Sequence, residues 1–321
     1  MTRVGIIGRG WGERSQAPNF RDAGLEVVAI AGRDNWRSLI DRQDVDLISV
    51  AMPPLRHLEM ATAALEAGKH VLCEKPTALN AAEVVKMVAA AKKHPDQIAI
   101  IDHELRFLPS VSAARERIAE LGGVRYVEVR YSSPSRGDRS RPWNWWSDAK
   151  EGGGVWGAVG SHFVDALRYL GFEIESVQAM LATIVKERSG KPVTSDDFAS
   201  VDLRLRGGAY AAMTFSAVAS GPDEPTTLTL HGENGAFRLT GEELLFAKPR
   251  EAFKRIAGGE LAERPGNSPG GAFGTGTYLL GLALHRALDA GDRKALAHAA
   301  TFEDGLAVQR VLDAAREEQR L

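Results

Sequence analysis

Five short, unbroken apolar segments restrict the N-terminal part of this chain more than any other feature. Val4 to Ile7 is closed by Gly8, and Leu25 to Ala31 runs into Gly32. Leu47 to Ala51 is stopped by Pro53 and Pro54, His70 to Cys73 by Pro76, and Ile98 to Ile101 completes the series. Segments this short, with no polar alternation, suit parallel strands covered on both faces. Helical stripes lie between them. Val84, Val88 and Ala91 stand at i, i+4 and i+7 with Lys86, Lys92 and Lys93 opposite; Leu58, Ala61 and Leu65 repeat the pattern, with Gly68 as a C-terminal stop. Strand–helix alternation of this kind predicts an α/β fold with an open, doubly wound sheet of Rossmann type.

The second half follows a different period. Val201 to Arg206 alternates apolar and charged residues strictly, and Val127, Val129 and Tyr131 alternate with Glu128 and Arg130. Both read as half-buried strands of an antiparallel sheet. Thr227 to Leu230 and Ala236 to Leu239 flank a glycine-containing hairpin signal. Val308, Val311, Leu312 and Ala315 mark one face of a C-terminal helix. The change of period falls near Leu121-Gly122-Gly123. It divides the chain into an expected dinucleotide-binding domain, 1–121, and a second α/β domain, 122–321, with an open, mostly antiparallel sheet. Gly258 to Gly276, rich in Gly and Pro, reads as a mobile surface loop.

Charge and cysteine usage narrow the function classes. Forty Lys and Arg against 42 Asp and Glu leave a net charge of −2, with no global pull toward nucleic acid or anionic membrane. Cys73 is the one cysteine, so no internal disulfide forms. The start carries no signal-peptide pattern, and no apolar run reaches the roughly 18 residues of a membrane span. A soluble, cytoplasmic chain acting on a small molecule is the expectation.

Gly8-Arg9-Gly10-Trp11-Gly12 follows the first strand and precedes a helix-compatible run. A dinucleotide-binding turn belongs there: the first glycine permits the tight turn, and the second lets backbone N–H groups approach the pyrophosphate. The third glycine of the G-x-G-x-x-G pattern is replaced by Glu13. At the end of the second strand an NAD site places an acid, whereas an NADP site places a cation. Gly32 occupies the acidic position and Arg33 follows, which favours NADP; Asp34 keeps NAD open.

Val71-Leu72-Cys73-Glu74-Lys75-Pro76, preceded by Ala51-Met52-Pro53-Pro54-Leu55-Arg56-His57, resembles the Gfo/Idh/MocA oxidoreductase family. His103 to Pro109, the glycine-rich Gly152 to Asp165 and Phe302 to Leu312 resemble later segments of the same family, in order. The resemblance implies a Rossmann domain joined to an α/β domain, NAD or NADP as hydride carrier, and a sugar, polyol or related substrate at the domain cleft. It implies that Lys75 lies near the reacting carbon and the nicotinamide, and that His162 serves the substrate hydroxyl as acid/base or orienting donor. An ammonium beside developing alkoxide charge and an imidazole of near-neutral pKa suit those tasks. Asp165, at i+3 from His162, shares its helix face.

Two departures bear on activity. Ala158 stands where many catalytic relatives carry an aspartate four residues before the histidine. Only Asn35 to Asp46 separates the second strand from the third, where the family has a further helix and strand, so a smaller sheet is expected. Other residues read two ways. Trp143, Trp145, Trp146 and Trp156 suit sugar stacking or packing, His57 a nicotinamide-ribose contact or a cap, and Arg106 a substrate contact or an ion pair. Arg136, Arg139 and Arg141 read as a solvated basic loop. Neither Cys73 nor the histidines show metal-ligand spacing. The leading expectation is an NAD(P)-dependent dehydrogenase or reductase, against a non-catalytic cofactor- or sugar-binding regulator and an NAD-dependent glycosidase. An apolar open face of the second sheet is expected to build a homo-oligomer.

Overall fold

The structure, a computed structural model, describes residues 1–221, 224–258, 266 and 268–317. They form two compact units, Met1–Leu108 with Leu261–Gln309, and Pro109–Glu260 with Arg310–Leu321. The single switch expected near Leu121 is therefore replaced by a crossing at Leu108 and a later return of the chain. Gly122 and Gly123 mark the start of a strand, but the preceding helix Pro109–Arg117 already packs on second-unit strands.

In the first unit, β1 (Arg3–Ile7), β2 (Glu26–Ala31), β3 (Leu47–Val50), β4 (His70–Cys73) and β5 (Ala99–Ile101) pair in parallel, in the order β5-β4-β3-β1-β2. The two-residue strand Ala300–Thr301 adds antiparallel to β5. Both faces are covered, as the unbroken apolar runs require. Val4, Ile6, Leu47, Leu72 and Ile100 pack against Ala17 and Phe20 of α1 (Ala17–Asp22) and against Leu280 and Leu284 of a long helix, Gly271–Asp289. Ile7, Ile48, Val50, Val71 and Ile101 pack on the other side with α2 (Trp36–Ile40), α3 (His57–Glu66) and α4 (Ala81–Lys93). Each such fully buried Leu, Ile or Val contributes roughly 1.5–3 kcal/mol. Asn80 caps α4 by accepting from the Glu83 N–H at 3.0 Å. Only the five-residue α2 lies between β2 and β3, so β2 is the edge of the sheet.

The glycine-rich Gly258–Gly276 stretch departs from the expectation of a loop. Residues 259–265 and 267 lie outside the described residues, but Gly271 opens the 19-residue helix Gly271–Asp289. Its glycines serve close approach: a Cβ at Gly276 would lie 2.7 Å from the Glu104 carbonyl oxygen, and one at Gly281 2.9 Å from Ala23 Cβ.

The second unit is built on an eight-stranded mixed sheet. Its strands are β6 (Val124–Ser132), β7 (Ile174–Ala182), a hairpin of β8 (Glu187–Arg188) and β9 (Lys191–Pro192) outside the sheet, then β10 (Phe198–Leu205), β11 (Tyr210–Ser216), β12 (Thr227–Gly232), β13 (Ala236–Thr240), β14 (Glu243–Ala247) and β15 (Lys254–Gly258). The order is β15-β14-β13-β12-β6-β11-β10-β7, with only β6 and β11 parallel. Val127, Val129, Val201, Leu203, Met213 and Phe215 are buried on the inner face. There Phe215 meets Trp156 and Phe163, at ring-centroid distances of 5.8 and 5.7 Å. The outer face differs from the apolar surface expected. Tyr126, Tyr210 and Met180 are exposed on it, but Glu128, Arg130, Asp202 and Arg204 stand among them, as strict alternation dictates.

Replacing Gly276 by Ala tests the close helix approach. The added methyl group meets backbone rather than a movable side chain, so Gly276→Ala should lower unfolding stability by about 1–3 kcal/mol in denaturant titrations.

Candidate active site

Register carries the first half of the site. Ile7 pairs with Val50 and Ala31, Val50 with Cys73, and Cys73 with Ile101. The next residue of each strand keeps the ladder: Gly8 N donates to Ala31 O at 2.9 Å, Ala51 N to Ile7 O at 2.8 Å, Glu74 N to Val50 O at 2.9 Å and Asp102 N to Cys73 O at 2.8 Å. The glycine turn, Pro53 and Pro54, Glu74-Lys75 and Gly32-Arg33-Asp34 therefore lie along one carboxyl edge. In open α/β sheets ligands bind at this edge, where the strand order reverses, here between β1 and β3.

The glycine turn fits a dinucleotide by shape. Gly8 has φ +142°, and a Cβ there would run into the Ala51 carbonyl. Gly12 packs on β1, since a Cβ would lie 2.7 Å from Ile6 Cγ2. Nothing lies within 4 Å of a Cβ built at Gly10, which leaves open space beside the backbone. A π-turn, Gly12–Gln16, follows and continues into α1. Arg9, Gly10 and Trp11 are exposed. Glu13 points outward, with Arg9 Nη1 3.8 Å from its carboxylate, so the chain has no buried acid at the missing third glycine. At the end of β2, Asn35 Oδ1 accepts from Gly32 N at 2.8 Å, and Arg9 Nε lies 3.7 Å from the position of a Gly32 Cβ. Arg33 and Asp34 are exposed.

Beneath this edge lies a polar cluster that the sequence reading missed. Gln16 Nε2 donates to Glu74 Oε1 at 2.9 Å and to Asp102 Oδ2 at 2.8 Å, while Ser49 Oγ donates to Gln16 Oε1 at 2.7 Å. All four side chains are buried. Burial pushes the Glu74 carboxyl well above the usual carboxylate range, with the neighbouring Asp102 charge adding to the effect; burial raises Asp102 as well. A carboxylate directly after an apolar strand, at Asp102, was the available signal. Lys75, half-buried, follows Glu74 and precedes Pro76 through a cis peptide.

His57 occupies a different place from the nicotinamide-ribose contact expected. It is fully buried, with Nε2 2.7 Å from Met52 O and Nδ1 3.1 and 3.2 Å from the carbonyls of Pro76 and Thr77. Burial holds its pKa below the ordinary imidazole value against those carbonyls. The ring thus sits between the Pro76–Thr77 turn and the turn after β3, and its single N–H in the neutral form donates to a carbonyl of one of them. Arg106 is buried too and pairs with Asp304 at 3.4 Å, which commits it to an internal ion pair.

In the second unit, Gly152 and Gly154 take φ of +85° and +116° and bring the chain back against Asp196, whose Oδ2 accepts from Trp156 N at 2.7 Å. Burial raises the Asp196 carboxyl. A second π-turn, Trp156–Gly160, contains the buried Ala158 and leads into α6 (Ser161–Tyr169). His162 and Asp165 lie one helical turn apart there, both buried. Trp156 is not free to stack on a sugar: it is fully buried, and its Nε1 donates to Leu312 O at 3.3 Å. Trp146 is half-buried, with the Arg136 guanidinium 4.4 Å from its ring centroid. Arg136 itself is not a solvated loop residue; burial, with Arg188 and Arg141 nearby, brings its pKa down to about 10.

Comparison with known proteins agrees with this layout. Residues 32–102 match the family model for the oxidoreductase family with an NAD-binding Rossmann fold, and residues 111–238 match that for the GFO/IDH/MocA C-terminal domain. Glucose-fructose oxidoreductase domain-containing protein 2 of Xenopus tropicalis is 31% identical over 355 aligned positions, covering 99% of this chain and 91% of that protein. An uncharacterised oxidoreductase of Synechocystis sp. is 30% identical, over 75% of this chain and 72% of its own. Among solved structures, levoglucosan dehydrogenase in complex with NADH and levoglucosan superposes with a TM-score of 0.85 at 25% identity, covering 99% of this chain and 96% of that one.

Two glycines separate binding from folding. Gly10→Ala should weaken nucleotide binding in calorimetry while leaving thermal stability close to wild type, because the methyl group enters open space. Gly8→Ala should lower stability by about 1–3 kcal/mol, because its methyl group meets backbone.

Proposed function

The chain belongs to the Gfo/Idh/MocA oxidoreductase family, and we propose that it is an NADP-preferring dehydrogenase or reductase acting on a sugar, polyol or related hydroxy or keto compound. One observation carries the reading: the sheet register aligns the Gly8–Gly12 turn and Glu74-Lys75 along one carboxyl edge. Gly8, Gly10 and Gly12 would hold the pyrophosphate, with Pro53 and Pro54 walling the turn beside it. A bound nicotinamide supplies hydride acceptance or donation. Lys75 stabilises the alkoxide charge that develops on the substrate oxygen, and Lys75 and His162 move its proton.

The preference for NADP rests on this chain's own residues, since the levoglucosan dehydrogenase relative is described with NADH. No side chain at residue 32 can accept from ribose hydroxyls, whereas Arg9 reaches that position and Arg33 follows it. A 2′-phosphate matches two guanidinium groups. A second reading, a cofactor-binding regulator without turnover, is favoured by Ala158, which cannot accept from a substrate hydroxyl or carry a proton. The outer sheet face, with Tyr126, Tyr210, Met180 and Arg130, is the surface through which we propose self-association.

Reduced-nicotinamide absorbance over a panel of sugars and polyols tests the assignment. Lys75→Ala should lower kcat by about 10²–10⁴-fold. Binding of the nucleotide without turnover of any substrate would favour the regulator instead. Arg9→Ala with Arg33→Ala should cut the NADP-over-NAD preference by about tenfold or more, the scale of one charge-assisted hydrogen bond. Sedimentation should give a mass above that of one chain; a concentration-independent monomer would exclude the proposed assembly.

A further inference from the structure

Four polar side chains from different strand ends meet in the floor of the first unit. Gln16 comes from the π-turn after β1, Ser49 from β3, Glu74 from the end of β4 and Asp102 from the end of β5. Gln16, Ser49 and Asp102 are fully buried, and Glu74 is 7% exposed. Ser49 Oγ donates to Gln16 Oε1 and so orients the amide. Both amide hydrogens then serve carboxyl oxygens, one on Glu74 and one on Asp102. A single amide nitrogen thus spans two carboxyl groups, holding one oxygen of Glu74 at 2.9 Å and one of Asp102 at 2.8 Å.

Two carboxylates held this close, away from water, do not both ionise. The charged and titratable groups facing them are Lys75, Glu104 and the Cys73 thiol. Lys75 is the one cation of that set, and it follows Glu74 directly, with its backbone N–H 3.3 Å from Glu74 Oε2. We propose that Glu74 and Asp102 hold one proton in common in the folded protein, and that Gln16, by clamping both carboxyls, is a positioning residue that registers the glycine turn against the Lys75 turn. The pair then presents a single negative charge beside Lys75. Burial of both groups, which favours the protonated form, agrees with this count.

The proton count can be read without nucleotide or turnover. Unfolded carboxyls lose their protons above about pH 4–4.5. Between about pH 5 and the pair's own titration, the folded protein therefore binds one proton more than the unfolded chain. Its folding constant should fall about tenfold per pH unit relative to a variant lacking the pair. In Glu74→Gln/Asp102→Asn no carboxyl remains, and that dependence should vanish; Glu74→Ala/Asp102→Ala should behave alike. A ratio of wild-type to variant folding constants that stays flat with pH overturns the shared proton. Should neither variant fold, carboxyl carbon resonances of the wild-type protein at neutral pH decide: one protonated carboxyl is expected, and two ionised groups overturn the proposal.

Gln16→Met tests the clamp. Amide exchange in the Gly8–Gly12 turn and at Lys75 should accelerate together, at least tenfold. Acceleration of neither, or of the glycine turn alone, overturns the positioning role. On an active enzyme, the same substitution should lower kcat with little change in substrate KM. This last arm rests on the oxidoreductase reading; the proton count and the exchange do not, so the two failures are distinguishable.

Discussion

The parallel pairing of β1 with β3, β3 with β4 and β4 with β5 is the constraint on which the rest of the first unit depends. Side-chain period and hydrogen-bond register together decide which residues leave the sheet at the same level. Because Ile7, Val50, Cys73 and Ile101 share one level, the four segments that follow them leave side by side. A one-residue slip between β1 and β3 or between β3 and β4 would turn Glu74 away from Gln16 and separate Lys75 from the glycine turn. The chemistry of this edge is a property of pairing before it is a property of any side chain.

Much of this was legible because it is local. Unbroken apolar runs between glycines and prolines require strands covered on both faces, and those strands appear within a residue or two of the expected bounds. Strict alternation in Val201–Arg206 likewise requires one buried face, and Val201, Leu203 and Leu205 are buried. The helix Gly271–Asp289 was hidden, since its glycines look like loop residues until the backbone they approach is known. The domain boundary was misplaced for a related reason: helix Pro109–Arg117 shows no sign in its own sequence of the unit on which it packs.

Side-chain roles were legible only where a motif fixes the backbone. Gly8, Gly10 and Gly12 behave as the turn demands. His57, Arg106 and Trp156 do not meet the expectation of ligand contact, because each satisfies its polar atoms inside the protein, on carbonyls or on Asp304. Gln16, Ser49, Asp102 and Asp196 could not be found from spacing, since their partners are remote in sequence and become neighbours only when the sheet and the glycine-rich turn form. Buried polar groups of this kind are costly unless satisfied, so their mutual hydrogen bonds report the folded arrangement more sharply than any pattern along the chain.

The short connection between β2 and β3 has an effect beyond the size of the sheet. With only α2 between them, β2 keeps one side of its backbone free of strand partners within the sheet. An open row of amides and carbonyls is a template on which stray chains can grow into aggregates. Here Glu26 at one end and Arg33 and Asp34 just past the other are exposed, charges of the kind that discourage such growth at a bare strand edge.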